Sequence, residues 1–351
     1  MKRNADSKAK LLSSLLIAAL AMTGCGNISE TNTDTTLISG DATTALISEA
    51  KYEPFEVNPH VYSAFLNACY PEEYREAFFN LCDALCEGRD SFEVANKEAY
   101  DFCMDPVTLN QLCPAAYKKI SCGSEGFKNG IGYISYEIPV EEYLERQKSF
   151  QKDIEDVLSR YIRSDYSDLE KCLALYDYMT SNYEFDHLDN VGQSNDGNCY
   201  ACFKLKQGIC SDLGTLYAYL LMQCGVNAIE VENSGLASSA GFHAWTYVSV
   251  GEKNYHIDVT AALVSETSVS DVSLDNFLVT DTDRDAAGYV YDELEIPLIH
   301  SSLAKDCKEY SFVADDESYR LPEGSFCTGY DTASNIIFYK DSDGEHEFKY
   351  E

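Results

Sequence analysis

Three residues of this chain have the types and the setting for nucleophilic chemistry: Cys210, His243 and Asp258. Gly208-Ile-Cys210-Ser-Asp212 is followed by Leu213, Leu216, Tyr217, Leu220 and Leu221 at helical spacing, and Gly225 stands at a typical C-cap position. The spacing predicts a helix that begins at Cys210. A thiol attacks as the thiolate, and the positive end of a helix and a neighbouring imidazolium both favour that form. The free N–H groups of a first helical turn can also hold an oxyanion as an acyl intermediate forms.

The elements that must bring the other two residues to the sulfur follow. His243 to Val250 (HAWTYVSV) alternates as a strand, Gly251 to Asn254 (GEKN) is a turn, and Tyr255 to Thr260 (YHIDVT) is the return strand. An even-length turn places His243 and Asp258 on one face of such a hairpin, where a carboxylate can orient an imidazole. Trp245 shares that face and could wall the site and exclude water. His256 also shares a face with Asp258 and is a rival partner. His243 is preferred because its strand carries Trp245. A single Cys at a helix start and a single His on a strand are more often structural, so the motif alone leaves both uses open.

Gly208-x-Cys210, His243-Ala244-Trp245 and Asp258-x-Thr260, in that order, resemble the core motifs of the transglutaminase-like superfamily. Upstream, Leu175-Tyr176-Asp177-Tyr178 and Tyr183 resemble the helix and the Tyr-Asp/Glu element that precede the family's cysteine. Val259 stands where the family often has Pro. The resemblance spans about residues 166–265. It implies an α+β, papain-like core in which the Cys-bearing helix packs on an antiparallel sheet. It also implies a Cys210–His243–Asp258 triad acting on amides, by hydrolysis or by transamidation. The calcium dependence of animal members is not implied.

Around that core the sequence divides further. Residues 53–165 read as a mostly helical N-terminal accessory region without visible chemistry: Val61 to Cys69 and Tyr74 to Cys86 look helical, and Gly130 to Pro139 alternates as a strand. Val140 to Ile162 carries an apolar stripe through Leu144, Phe150, Ile154, Val157, Leu158, Tyr161 and Ile162. Ser167-Asp-Leu-Glu170 is a capping box that opens the core, which is expected over 166–300. Gly192 to Asn198 reads as a loop and Val226 to Val231 as a short strand. Residues 301–351 read as a small β-rich C-terminal region, with strands over Glu309 to Val313 and Asn335 to Tyr339 and a turn over Lys340 to Glu345. Asp281, Asp283 and Asp285 hint at calcium, but Ala286 stands where an EF-hand loop needs Gly, so the run reads as a solvated loop.

The first 24 residues combine Lys2, Arg3, Lys8 and Lys10, an apolar stretch from Leu11 to Met22, and small residues before Cys25. That order reads as a secretory signal peptide, and Met22-Thr-Gly-Cys25 resembles the bacterial lipobox. The expectation is an exported lipoprotein held on the outer face of the bacterial membrane through Cys25. Residues 25–52, rich in Ser, Thr, Asn and Asp, read as a flexible tether.

Composition narrows the partners. The formal net charge is −33, and removing the +3 of residues 1–24 leaves −36 for the rest. Such a surface disfavours nucleic acid and anionic headgroups as direct partners. Of 14 cysteines, 12 remain beside Cys25 and Cys210. An oxidising exterior permits disulfides among them, and a working thiol at Cys210 prefers a reducing one. Cys199-x-x-Cys202 and Cys82-x-x-x-Cys86 have ligand-like spacing, but no second half completes a zinc site. No metal or cofactor is therefore expected.

Two functions compete. One is a surface-anchored thiol acyl-enzyme acting on protein or peptide substrates, as a peptidase, amidase or transamidase. The alternative is a catalytically silent surface binding or assembly module on the same fold. Arylamine-type acyl transfer is disfavoured, because acyl-CoA donors are cytosolic.

Overall fold

The structure is a computed structural model that describes residues 54–196, 198–234, 241–264, 272–289, 294–299, 303 and 313–350. The leader, Cys25, the tether over 25–52 and most of the expected strand at Glu309 to Val313 lie outside the described residues. Among the described residues no helix is long and apolar enough to cross a membrane.

The chain begins with a 3₁₀ turn at Ala64–Ala68, followed by α1 (Glu72–Glu87), β1 (Ser91–Glu93), α2 (Lys97–Met104), α3 (Pro106–Leu112), β2 (Ile120–Lys128), β3 (Ile131–Tyr136) and α4 (Val140–Tyr161). The helices α2 and α3 each start on a side-chain cap, from Asn96 and Asp105. Strands β1, β3 and β2 form an antiparallel sheet in that order, so this region is more mixed than its periodicity suggests. On α4 the buried stripe is Tyr143, Gln147, Phe150, Ile154 and Leu158. Leu144 and Val157, expected in it, only flank it. Gln147 takes an inward place in the stripe, donating from Nε2 to Cys86 Sγ at 3.2 Å.

The next segment holds α5 (Asp168–Asn182), β4 (Glu184–Phe185), α6 (Asn198–Leu205), β5 (Gln207–Gly208), α7 (Cys210–Gln223), β6 (Ala228–Asn233), β7 (His243–Val250), β8 (Lys253–Ile257) and α8 (Val259–Val264). Both halves of the Ser167–Glu170 capping box are made at the start of α5. α7 is buried on every side from Asp212 to Gln223, against α5, α6, β6 and β7. A helix buried all round is a core element, and each fully buried leucine on it contributes about 1.5–3 kcal/mol. Gly214 allows the close approach to β7, because a Cβ there would stand 3.2 Å from the backbone of Trp245.

The central sheet is antiparallel, ordered β10-β6-β7-β8, where β9 is Val272–Ser273, α9 is Asp281–Ala286 and β10 is Leu294–Glu295. The β7–β8 register pairs Thr246 with Ile257 and Val250 with Lys253. The turn is therefore only Gly251-Glu252, with Gly251 at φ +61°. A last sheet, ordered β13-β12-β11-β9, joins β11 (Phe326–Asp331), β12 (Ile336–Asp341) and β13 (Gly344–Lys349) to β9. The Tyr350 hydroxyl donates to Glu170 Oε1 at 2.7 Å, which ties this sheet to the start of α5. The fold class is thus α+β with antiparallel sheets, as the resemblance implies.

Three local readings are corrected. The return strand ends at Ile257 rather than Thr260, and α8 starts at Val259. Asp258 ends the strand because its Oδ1 accepts the N–H of Ala261 at 2.9 Å, an N-cap interaction. Asn198, placed in a loop by its neighbours, opens α6. The Asp281/Asp283/Asp285 run is not a solvated loop but the helix α9, capped reciprocally by Thr280 and Asp283.

Candidate active site

Cys210 is the first residue of α7 and is half-buried. The chain enters it through β5, which pairs in parallel with β4, and Gly208 is the residue that lets it pass. A Cβ on Gly208 would meet Asp212 Cβ at 2.8 Å and Cys202 Sγ at 2.9 Å. The Asp212 carboxylate accepts the Ile209 N–H at 3.1 Å, while Ile209 itself has no side chain that can cap the helix. Burial raises the Asp212 carboxyl to about 6 against the opposing hydrogen bond from Ile209.

His243 is the first residue of β7. Its Nε2 lies 2.7 Å from Asp258 Oδ2, and the Cys210 thiol is near enough to the ring to favour its charged form. With Nε2 committed to the carboxylate, Nδ1 is the nitrogen left for the sulfur. Burial alone would push this imidazole down, but the bond to Asp258 and the nearby Cys210 thiol outweigh it and raise the group to about 9. The ring thus favours its charged form beside the sulfur. Asp258 is fully buried. Burial resists its ionisation, yet the Arg284 guanidinium and the bond to His243 hold it at about 2.

His243 and Asp258 thus form a hydrogen-bonded pair, with Cys210 beside the imidazole at the start of α7. Trp245 is buried, its ring 5.7 Å from that of His243 at 30°. His256 is not in the pair. It sits behind Trp245, accepting from the indole Nε1 through Nδ1 at 2.9 Å and facing Asp281 Oδ1 through Nε2 at 2.8 Å. Burial lowers the pKa of His256. A neutral ring protonated on Nε2 satisfies both partners.

Two residues at the site escaped the sequence reading. Arg284, on α9, is buried and donates from Nη2 to Asp258 Oδ2 at 2.9 Å. Its guanidinium lies 4.2 Å from the Trp245 ring and 4.6 Å from that of Tyr289. Tyr289 stacks on His243 at 4.9 Å and 25°. The signal was present in Thr280-x-x-Asp283, a capping pattern hidden among acidic residues that read as a loop.

Residues 155–259 match the model of the transglutaminase-like superfamily. Three solved chains are similar to this one. One is a candidate cysteine protease from Cytophaga hutchinsonii, at 15% identity and a TM-score of 0.30, with 44% of each chain covered. Another is described as a TGase, at 17% identity and a TM-score of 0.28, with 46% of this chain and 49% of that one covered. The chain thus spans less than half the length of either structure. No curated protein matches it.

Proposed function

We propose that the transglutaminase-like domain at residues 155–259 houses a thiol acyl-transfer site for amide bonds of proteins or peptides. The observation that carries this reading is the His243–Asp258 bond at 2.7 Å with Cys210, the first residue of the buried helix α7, beside the imidazole. The Cys210 thiol gives its proton to His243, the sulfur attacks the amide carbonyl carbon, and the carbonyl electron pair moves to oxygen. The N–H groups of the first turn of α7, which have no partner within the helix itself, supply donors for that charge. As the C–N bond breaks, the His243 imidazolium gives its proton to the leaving amine and a thioester remains. Water then attacks, passing a proton to His243, and the sulfur leaves. An amine in place of water gives a new amide. Hydrolysis is the favoured outcome, and Asp258 keeps His243 oriented and charged throughout.

The test incubates the full chain with reporter peptides and protein substrates, with and without a fluorescent primary amine. New amino termini or released ammonia report hydrolysis, and incorporated amine reports transamidation. Both are expected to vanish in Cys210→Ala. Turnover that survives Cys210→Ala defeats the proposal, and absence of any turnover over a broad substrate panel favours a binding module.

We further propose that the chain works at the outer face of a bacterial membrane, anchored through Cys25. Metabolic labelling with a fatty-acid analogue should mark the parent protein and not Cys25→Ala. Equal labelling of both overturns the anchor.

A further inference from the structure

Asp258 Oδ2 receives two donors, His243 Nε2 at 2.7 Å and Arg284 Nη2 at 2.9 Å, and no solvent reaches the carboxylate. A buried carboxylate with one ionic partner would share that partner's proton. A second, permanently charged donor on the same oxygen removes the reason to do so, because a guanidinium does not give up its proton in proteins. The groups around this carboxylate are His243 on β7, His256 on β8, Tyr176 on α5, Arg284 on α9 and Tyr289 just beyond it. His256 is held neutral, so Arg284 is the permanent cation among them.

Arg284 is itself held with little freedom. It rides on α9, whose first residue, Asp281, accepts from His256, which in turn accepts from Trp245. Asp281 also takes the Ala314 N–H at 3.0 Å on its other oxygen. The guanidinium lies across the faces of Trp245 and Tyr289. Sheet, helix and aromatic stack thus aim one cation at one oxygen. Arg284 lies beyond the matched span, which ends at residue 259.

We infer that Arg284 is a positioning residue of the reaction: it keeps Asp258 ionised and aimed, so that the Nε2 proton of the His243–Asp258 pair stays on His243 and the Nδ1 proton, on the sulfur's side, is the one the leaving amine takes. This rests on the triad proposed above. Removing the cation leaves a buried carboxylate whose remaining ionic partner is the imidazolium, and the proton then shifts toward oxygen.

The test reads Asp258 without any turnover, by a carboxyl ¹³C NMR titration of the full chain. Arg284→Gln is expected to raise the Asp258 midpoint by about one to three pH units, the range that a close opposite charge accounts for. Arg284→Lys is expected to restore most of that shift. In parallel, the acid limb of the hydrolysis profile should move up by the same one to three units in Arg284→Gln and move back in Arg284→Lys. If Arg284→Gln does not fold, the double variant Asp258→Asn/Arg284→Gln, which leaves no unpaired buried charge, should fold and be as slow as Asp258→Asn alone. A folded Arg284→Gln with an unmoved midpoint, or a double variant much slower than Asp258→Asn, overturns the inference. A purely structural arginine would lower the melting temperature and leave the midpoint in place. Because the titration needs no catalysis, a silent Cys210 sinks the triad reading without touching this measurement.

Discussion

Asp258 turns its two oxygens to different tasks around His243: Oδ2 meets His243 Nε2 at 2.7 Å, while Oδ1 accepts the Ala261 N–H at 2.9 Å and starts α8. The cap fixes the carboxylate plane, so the oxygen offered to the imidazole is set by the backbone of the next helix. A carboxylate held from both sides has lost its side-chain freedom before the imidazole arrives, which is the condition for orienting it.

His243 should titrate near 9, since its bond to Asp258 and the nearby Cys210 thiol favour the imidazolium despite burial. Imidazole ¹⁵N NMR of the full chain measures this midpoint, and the alkaline limb of a hydrolysis profile should follow it. In Asp258→Asn both are expected to move down by about one to three units. A midpoint that stays near 9 in that variant would assign the raised value to some other partner.

The same pair makes stability depend on pH, with opposite signs at the two ends. Asp258, lowered from 3.8 to about 2, contributes stability above 3.8 that is lost as pH falls through about 2. His243, raised from 6.5 to about 9, contributes stability below 6.5 that is lost as pH rises through about 9. Urea unfolding of parent and Asp258→Asn should therefore differ most between pH 4 and 6.5 and converge toward both extremes. A difference that is flat across pH would refute the linkage.

Cys210 should be the thiol that iodoacetamide labels fastest at mildly acid pH, as read by mass spectrometry of the digested protein. Cys82, Cys103, Cys172, Cys199 and Cys202 are buried free thiols whose ionisation burial opposes. Cys86 is the informative control, because it is exposed but also raised by desolvation. Equal rates at Cys86 and Cys210 would remove the case for an activated thiol.

Gly208→Ala should cost about 1–3 kcal/mol of stability and slow the labelling of Cys210 in the folded remainder. The added methyl would press on Asp212 Cβ and Cys202 Sγ at under 3 Å, so the entry to α7 must move. Thermal melts with residue-specific labelling check both parts. A variant as stable and as reactive as the parent would mean that the strand can shift without moving the thiol.

Much of the core was legible in local pattern. The α5 capping box, the apolar run of α7 and the alternation of β7 are short-range signals, and the structure contains those elements. The failures were also local. Asp258 reads as a strand residue because its apolar neighbours alternate, although Asp258-x-x-Ala261 is a helix start in disguise. Three acids around Arg284 masked a capped helix. Gln147 is polar by type, yet it is buried within the α4 stripe against Cys86.

What the sequence determined by itself is the set of chemical types and their local framing: a thiol at a helix start, an imidazole and an indole two residues apart on one strand, and a carboxylate past the next turn. Side-chain period and turn length make those facts unavoidable, because they depend on neighbours within a few residues. The tertiary structure alone decided that His243 rather than His256 takes Asp258, that His256 lies behind Trp245, and that Arg284 shares the carboxylate. Those outcomes hang on how α9 docks against the β7–β8 hairpin, and the energy of a buried ion pair depends on distances and desolvation that no residue carries alone.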